Sequence, residues 1–228
     1  MSGDGYFSGG RWRQAGAGLA TMVLLAGCVS AEELAKRTRE SEGYYKQGLS
    51  NMDSNQQQAV VSFQKALQSN PDNFDAQYAL GSIRFQRKEF DEAERAFQRC
   101  IELMPEDGEA LNFYGRTLIE LKRAPEAVVV LRKATTLPFY ATPDIAHSNL
   151  GYALQVLGDH TGALRAYQDA IKIDPPTVPR ALLYLEVGRI YVMRGEHTGA
   201  REALAQVTAL DPQGTAGAEA RKLMQKIK

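Results

Sequence analysis

A chain of 228 residues with 27 basic and 27 acidic side chains carries no formal net charge, which excludes the basic stripe of a nucleic-acid binder. Its 44% hydrophobic and 24% charged content suits a folded chain rather than a disordered one. The two cysteines, Cys28 and Cys100, stand in such different settings that no disulfide framework is written into the sequence.

Arg11 and Arg13 precede an apolar run from Ala15 to Ala26, too short to remain in a bilayer as a spanning helix and flanked as a secretory signal peptide is. The run ends in Leu25-Ala26-Gly27-Cys28, which resembles the lipobox of bacterial lipoproteins. There the peptide is cleaved before the cysteine, small residues admit the peptidase, and the thiolate accepts a diacylglyceryl group. Residues 1–27 are therefore expected to be a lipoprotein signal peptide, Cys28 the lipidated residue, and 28–40 the acylated N-terminus with a linker or helix. An ordinary secretory leader with an incidental cysteine is the alternative. Val29, where an aspartate is absent, is similar to the same position in lipoproteins sorted to the outer membrane, so the expected location is the periplasmic face of that membrane, held by the lipid anchor. Acyl chains such as palmitate contribute about 0.8 kcal/mol per buried methylene, enough for several chains to anchor stably.

Beyond residue 40 one unit is written several times. Ala93, Phe97 and Pro105 stand as Ala59, Phe63 and Pro71 do, 34 residues apart, and Gly81, Gly115, Gly151 and Gly188 are each followed at twelve residues by an alanine. That period resembles the tetratricopeptide repeat, a helix-turn-helix that stacks into a solenoid. The resemblance implies an all-α, right-handed superhelix. Five units fit at 41–73, 74–107, 108–143, 144–180 and 181–214, followed by a C-terminal capping helix over 215–228. Gly81 and Ala93 are read as the small residues at the crossing of paired helices, Leu80 and Phe97 as filling between repeats, and Pro71, Pro105, Pro175 and Pro212 as stops after second helices. Gly48 precedes Ala59 by eleven residues, so the first unit's turn is predicted one residue short, and two connections, 137–143 and 175–179, run long.

Nothing in the sequence spells an active site. His160 and His197 lie in nearly the same hexapeptide, a product of duplication, and His147 has no nucleophile motif beside it. No catalytic residue, metal, cofactor, nucleic acid or small-molecule substrate is expected. Cys100 takes a slot filled by Ala66, Ala134 and Ala170, which predicts a buried small hydrophobe. The expected function is to hold a protein on the concave face lined by first helices. Counting from the packing glycines places Tyr45, Tyr78, Ser82, Phe85, Asn112, Arg116, Tyr152 and Arg189 on that face, with the edge loop residues Phe139 and Tyr140 as alternative anchors. Some of these aromatics are alternatively read as packing between neighbouring helices.

A narrower resemblance rests on Asn112-Phe113-Tyr114-Gly115, Ala124-Pro125-Glu126-Ala127, the segment Leu137-Pro138-Phe139-Tyr140-Ala141-Thr142-Pro143, and Asn149-Leu150-Gly151. These are similar to the third-to-fourth-repeat junction of the type IV pilus pilotins. That family implies an outer-membrane lipoprotein whose partner is a secretin subunit of the pilus exit pore, which it helps reach the membrane and assemble. A periplasmic adaptor lipoprotein organising cell-wall enzymes uses the same anchor and groove, and is the other expectation.

Overall fold

The computed structural model describes residues 30–227, and within them the chain is a succession of helices without strands. The expected signal peptide, Cys28 and Val29 lie outside the described residues. The first ten helices form five hairpins: α1 Ala31–Asn51 with α2 Gln56–Ser69, α3 Phe74–Gln86 with α4 Phe90–Leu103, α5 Gly108–Glu120 with α6 Ala124–Thr135, α7 Pro143–Val156 with α8 His160–Lys172, and α9 Arg180–Met193 with α10 His197–Leu210. The eleventh, α11 Thr215–Lys226, packs across α9 and α10 and buries Ala216, Ala220 and the following Ile227 at the end of the stack.

Local chemistry sets where these helices begin. Ser30, Asn55, Asn73, Asp107 and Asp159 each accept a hydrogen bond from the backbone N–H three residues on, satisfying a donor the helix itself leaves unpaired. Pro125 and Pro143 occupy the first turns of α6 and α7, where a missing N–H costs nothing. Within four hairpins the turn closes through one residue in the left-handed region: Gly158 and Gly195, but also Lys88 and Lys122, with φ of 63° and 64°. In the first hairpin no residue among 52–55 takes that conformation. Its connection is not short but long, four residues against three elsewhere; the missing length comes out of the end of α1.

The packing glycines do their work differently from the expectation. A Cβ on Gly81 would meet the Phe97 ring at 2.9 Å, one on Gly151 the Tyr167 ring at 2.8 Å, and one on Gly188 the Leu204 side chain at 2.7 Å. Gly48 and Gly115 are covered in the same way by Phe63 and Leu131. The glycine therefore makes a seat for the large side chain of its own second helix, rather than pairing with the small alanine twelve residues on. Phe97 fills that seat and also reaches the next repeat, stacking on Phe113 at 5.3 Å between centroids.

First helices of neighbouring repeats touch, α3 with α5 and α5 with α7, while second helices meet the following first helix, α4 with α5, α6 with α7 and α8 with α9. The first helices thus form the inner layer. The two longer connections are pinned rather than loose. Tyr140 lies over Gly108, where a Cβ would be 2.5 Å from its ring, and buried Asp144 accepts hydrogen bonds from the N–H groups of Thr177 at 2.6 Å and Val178 at 2.7 Å.

Candidate functional site

On the inner layer, Tyr78 and Phe85 of α3 and Arg116 of α5 converge on one ring, Phe113. Tyr78 and Phe85 meet it edge-on, at 5.5 and 6.1 Å, and Phe97 stacks beneath. The Arg116 guanidinium lies 4.7 Å from the Phe85 centroid and 5.1 Å from that of Phe113, a cation held over two ring faces. Edge-to-face contacts at these spacings suit the ring quadrupole, so the shelf is fixed in shape before any partner arrives. Burial lowers the Arg116 pKa from its ordinary value, and raises that of the Tyr78 hydroxyl, with Glu109 and Asp107 adding to the latter.

Phe113 is the residue that position counting missed. It stands two before the packing glycine, where the other four repeats have Lys46, Ala79, Asn149 and Glu186. An aromatic replacing small or polar residues in that slot was the available signal. Tyr152 is half exposed on α7, and Val156 and Met193, one turn beyond Tyr152 and Arg189, are exposed apolar residues on the same stripes. They extend the inner surface toward the C-terminal repeats.

Other expected groove residues are occupied. Asn112 is only 1% exposed, and its side-chain oxygen accepts a hydrogen bond from Asn149 of the next repeat at 2.7 Å. It joins α5 to α7 and is not free to meet a partner. Arg189 pairs with Glu186 on its own helix and with Glu219 of α11 at 2.6 Å, so it fastens the cap. Ser82 is half-buried with its hydroxyl oxygen enclosed. Tyr45 leans on Phe63 at 5.8 Å within the first hairpin. At the alternative edge the two anchors separate: Phe139 is 97% exposed, whereas Tyr140 packs against a cluster of Leu111, Ala134 and Ala146, and burial pushes its hydroxyl pKa up to about 12.

Cys100 is buried, its thiol pushed up to about 12 by burial, so it is inert as a nucleophile. No group of His, Cys, Asp and Glu among the described residues has the arrangement of a metal site, and no described helix is long and apolar enough to cross a membrane.

Stacked hairpins with a preformed aromatic and cationic inner face define a repeat scaffold for holding other polypeptides. The chain belongs to the tetratricopeptide repeat family, whose model matches residues 53–99, 84–136 and 157–227. No curated protein matches the sequence. Among solved structures it is similar to PilW, a type IV pilus biogenesis factor, at 23% identity over 82% of this chain and 88% of that one, with a TM-score of 0.69. It is similar to pilF of Pseudomonas aeruginosa at 21% identity, over 84% and 90% of the two chains, with a TM-score of 0.67. YrrB, a repeat protein with an unusual peptide-binding site, matches at 21% identity over 85% and 100%, TM-score 0.66. Proteins of this repeat family serve in general as non-catalytic interaction scaffolds.

Proposed function

We propose that this protein is an outer-membrane lipoprotein that binds a secretin subunit on its inner face and assists assembly of the pilus exit pore. The observation that carries the reading is a conjunction. The segment Leu25-Ala26-Gly27-Cys28, which resembles a lipobox, precedes the solenoid of a chain similar, over more than four fifths of its length, to PilW and pilF. The physical logic is one of effective concentration: an acyl anchor confines the scaffold to the bilayer surface, so a modest contact at the groove suffices to gather subunits there. The Phe113 shelf supplies a rigid ring surface with a desolvated cation, the kind of patch on which binding energy concentrates.

The test separates anchor from groove. Cys28→Ala is expected to leave the repeats folded and to release the protein from outer membranes in salt-washed fractions. Tyr152→Ala with Arg116→Gln should keep the protein at the membrane but lose the secretin in pull-downs, since a hot-spot truncation costs about 2 kcal/mol or more. Tyr78 is a poor choice for such a test. Its ring packs on Phe74, Phe97 and Phe113, so truncation would damage the fold as well. Retention of a normal secretin multimer and its pull-down in the folded double variant would overturn the groove assignment.

A further inference from the structure

The edge of the solenoid carries a second feature that the inner-face reading does not use. The α4–α5 turn and the connection over residues 136–142 enclose a pocket of about 320 Å³, with Leu137, Pro138, Phe139 and Tyr140 on one side and Glu106, Asp107 and Glu109 on the other. Its floor is preformed. The Tyr140 ring is seated over Gly108, and the Thr142 hydroxyl donates to Glu109 at 2.8 Å, tying the connection to α5. At the rim Phe139 points into solvent, 97% exposed, the most exposed large hydrophobic side chain among the described residues.

Charge decides what fits. Where acidic residues meet arginines on this surface they are tied down: Asp72 and Glu102 by Arg99, Glu94 and Glu126 by Arg123, Glu186 and Glu219 by Arg189. None of the three carboxylates of the pocket has an ion pair, and no basic side chain lines it. Asp107 spends one oxygen capping α5 through the Ala110 N–H at 2.7 Å, and Glu109 one on Thr142, which leaves each carboxylate with acceptor capacity. An exposed ring beside uncompensated carboxylates on an apolar floor matches one side chain best. A guanidinium stacks flat on an aromatic face, pairs with carboxylates through its forked N–H groups, and sheds water more readily than an ammonium.

We propose that this edge is a second docking site, which takes an arginine-bearing apolar segment of a protein partner, with Phe139 stacking on the guanidinium and Glu106 and Glu109 pairing with it. The site shares α5 with the Phe113 shelf through Glu109, but lies on different elements from Tyr152, so the edge and the C-terminal part of the inner face can be engaged by separate parts of one partner.

The test uses the mature lipoprotein in detergent and two fluorescein-labelled peptides, Leu-Arg-Phe-Arg-Leu and its counterpart with glutamate in place of arginine, followed by anisotropy. The arginine peptide is expected to bind, more weakly as salt is raised, and the glutamate peptide not to bind. Phe139→Ser, and separately Glu106→Gln with Glu109→Gln, should each weaken binding about tenfold or more, while Tyr152→Ala leaves it unchanged. Phe139 supports no packing, so its variant retains the wild-type circular dichroism and melting curve. Equal binding of the two peptides, no binding of either, or undiminished binding to both edge variants would overturn the proposal. Loss of binding in Tyr152→Ala alone would place the peptide on the inner face instead and overturn it equally.

Discussion

Gly151→Ala adds one methyl group and is expected to destabilise the protein, although alanine is the better helix former. The new Cβ would stand 2.8 to 2.9 Å from three ring carbons of Tyr167, closer than carbon atoms pack. The ring has nowhere to go: Tyr167 is 2% exposed in a core shared with Leu150, Leu154, Leu183 and Val187, and its hydroxyl donates to Gln155 at 3.1 Å. Overpacking of this kind costs about 1–3 kcal/mol. Replacing glycine inside a helix returns roughly 0.5–1 kcal/mol, so a net loss of about 1–2 kcal/mol is expected. Two companions make the reasoning testable. Gly43→Ala sits within α1 with nothing within 4 Å of its added Cβ, so it should stabilise by roughly the propensity gain alone, about 0.5–1 kcal/mol. Tyr167→Ala removes the obstruction, at a cost of about 3–5 kcal/mol by itself, and in that background Gly151→Ala should turn from harmful to neutral or helpful. The cycle is read by urea unfolding monitored by circular dichroism, with hydrogen exchange in α7 and α8 to show whether the damage stays local, as nearest-neighbour coupling in repeat proteins allows. If Gly151→Ala is as stabilising as Gly43→Ala, or is unaffected by Tyr167→Ala, the seat described for the packing glycine is wrong.

Three further outcomes follow from the same structure. Lys88→Gly and Lys122→Gly should each stabilise by about 1 kcal/mol, because these lysines hold left-handed backbone that glycine adopts freely, whereas Gly158→Ala should cost a similar amount; urea midpoints decide it. Asp144→Ala removes the acceptor of two backbone N–H groups and should cost about 1–3 kcal/mol, with faster amide exchange at Thr177 and Val178 as its local signature. In a Cys28→Ala form, Cys100 should resist thiol reagents at pH 8 in the folded state and react fully in denaturant, since the fold buries its thiol and pushes its pKa up to about 12; rapid native labelling would contradict its burial.

The helices and their order were legible in the sequence because each signal is local. A packing glycine, the alanine twelve residues on, a capping Asn or Asp and a proline after the second helix all act within one hairpin, over distances fixed by helix geometry. Even so, the turns of the second and third repeats were obscured by Lys88 and Lys122, whose side chains do not announce left-handed backbone as Gly158 and Gly195 do. What an inward-facing residue does was decided only by its neighbours from other repeats. Asn112 meets Asn149, Arg189 meets Glu219 on the cap, Tyr140 drops onto Gly108, and Phe113 gathers Tyr78, Phe85, Phe97 and Arg116. These partners lie roughly thirty or more residues apart in several cases, and whether they meet depends on the offset between stacked hairpins and on the lengths of the pinned connections. Periodicity gives the face on which a side chain stands; whether that side chain is left free for a partner is set by the packing of one repeat on the next.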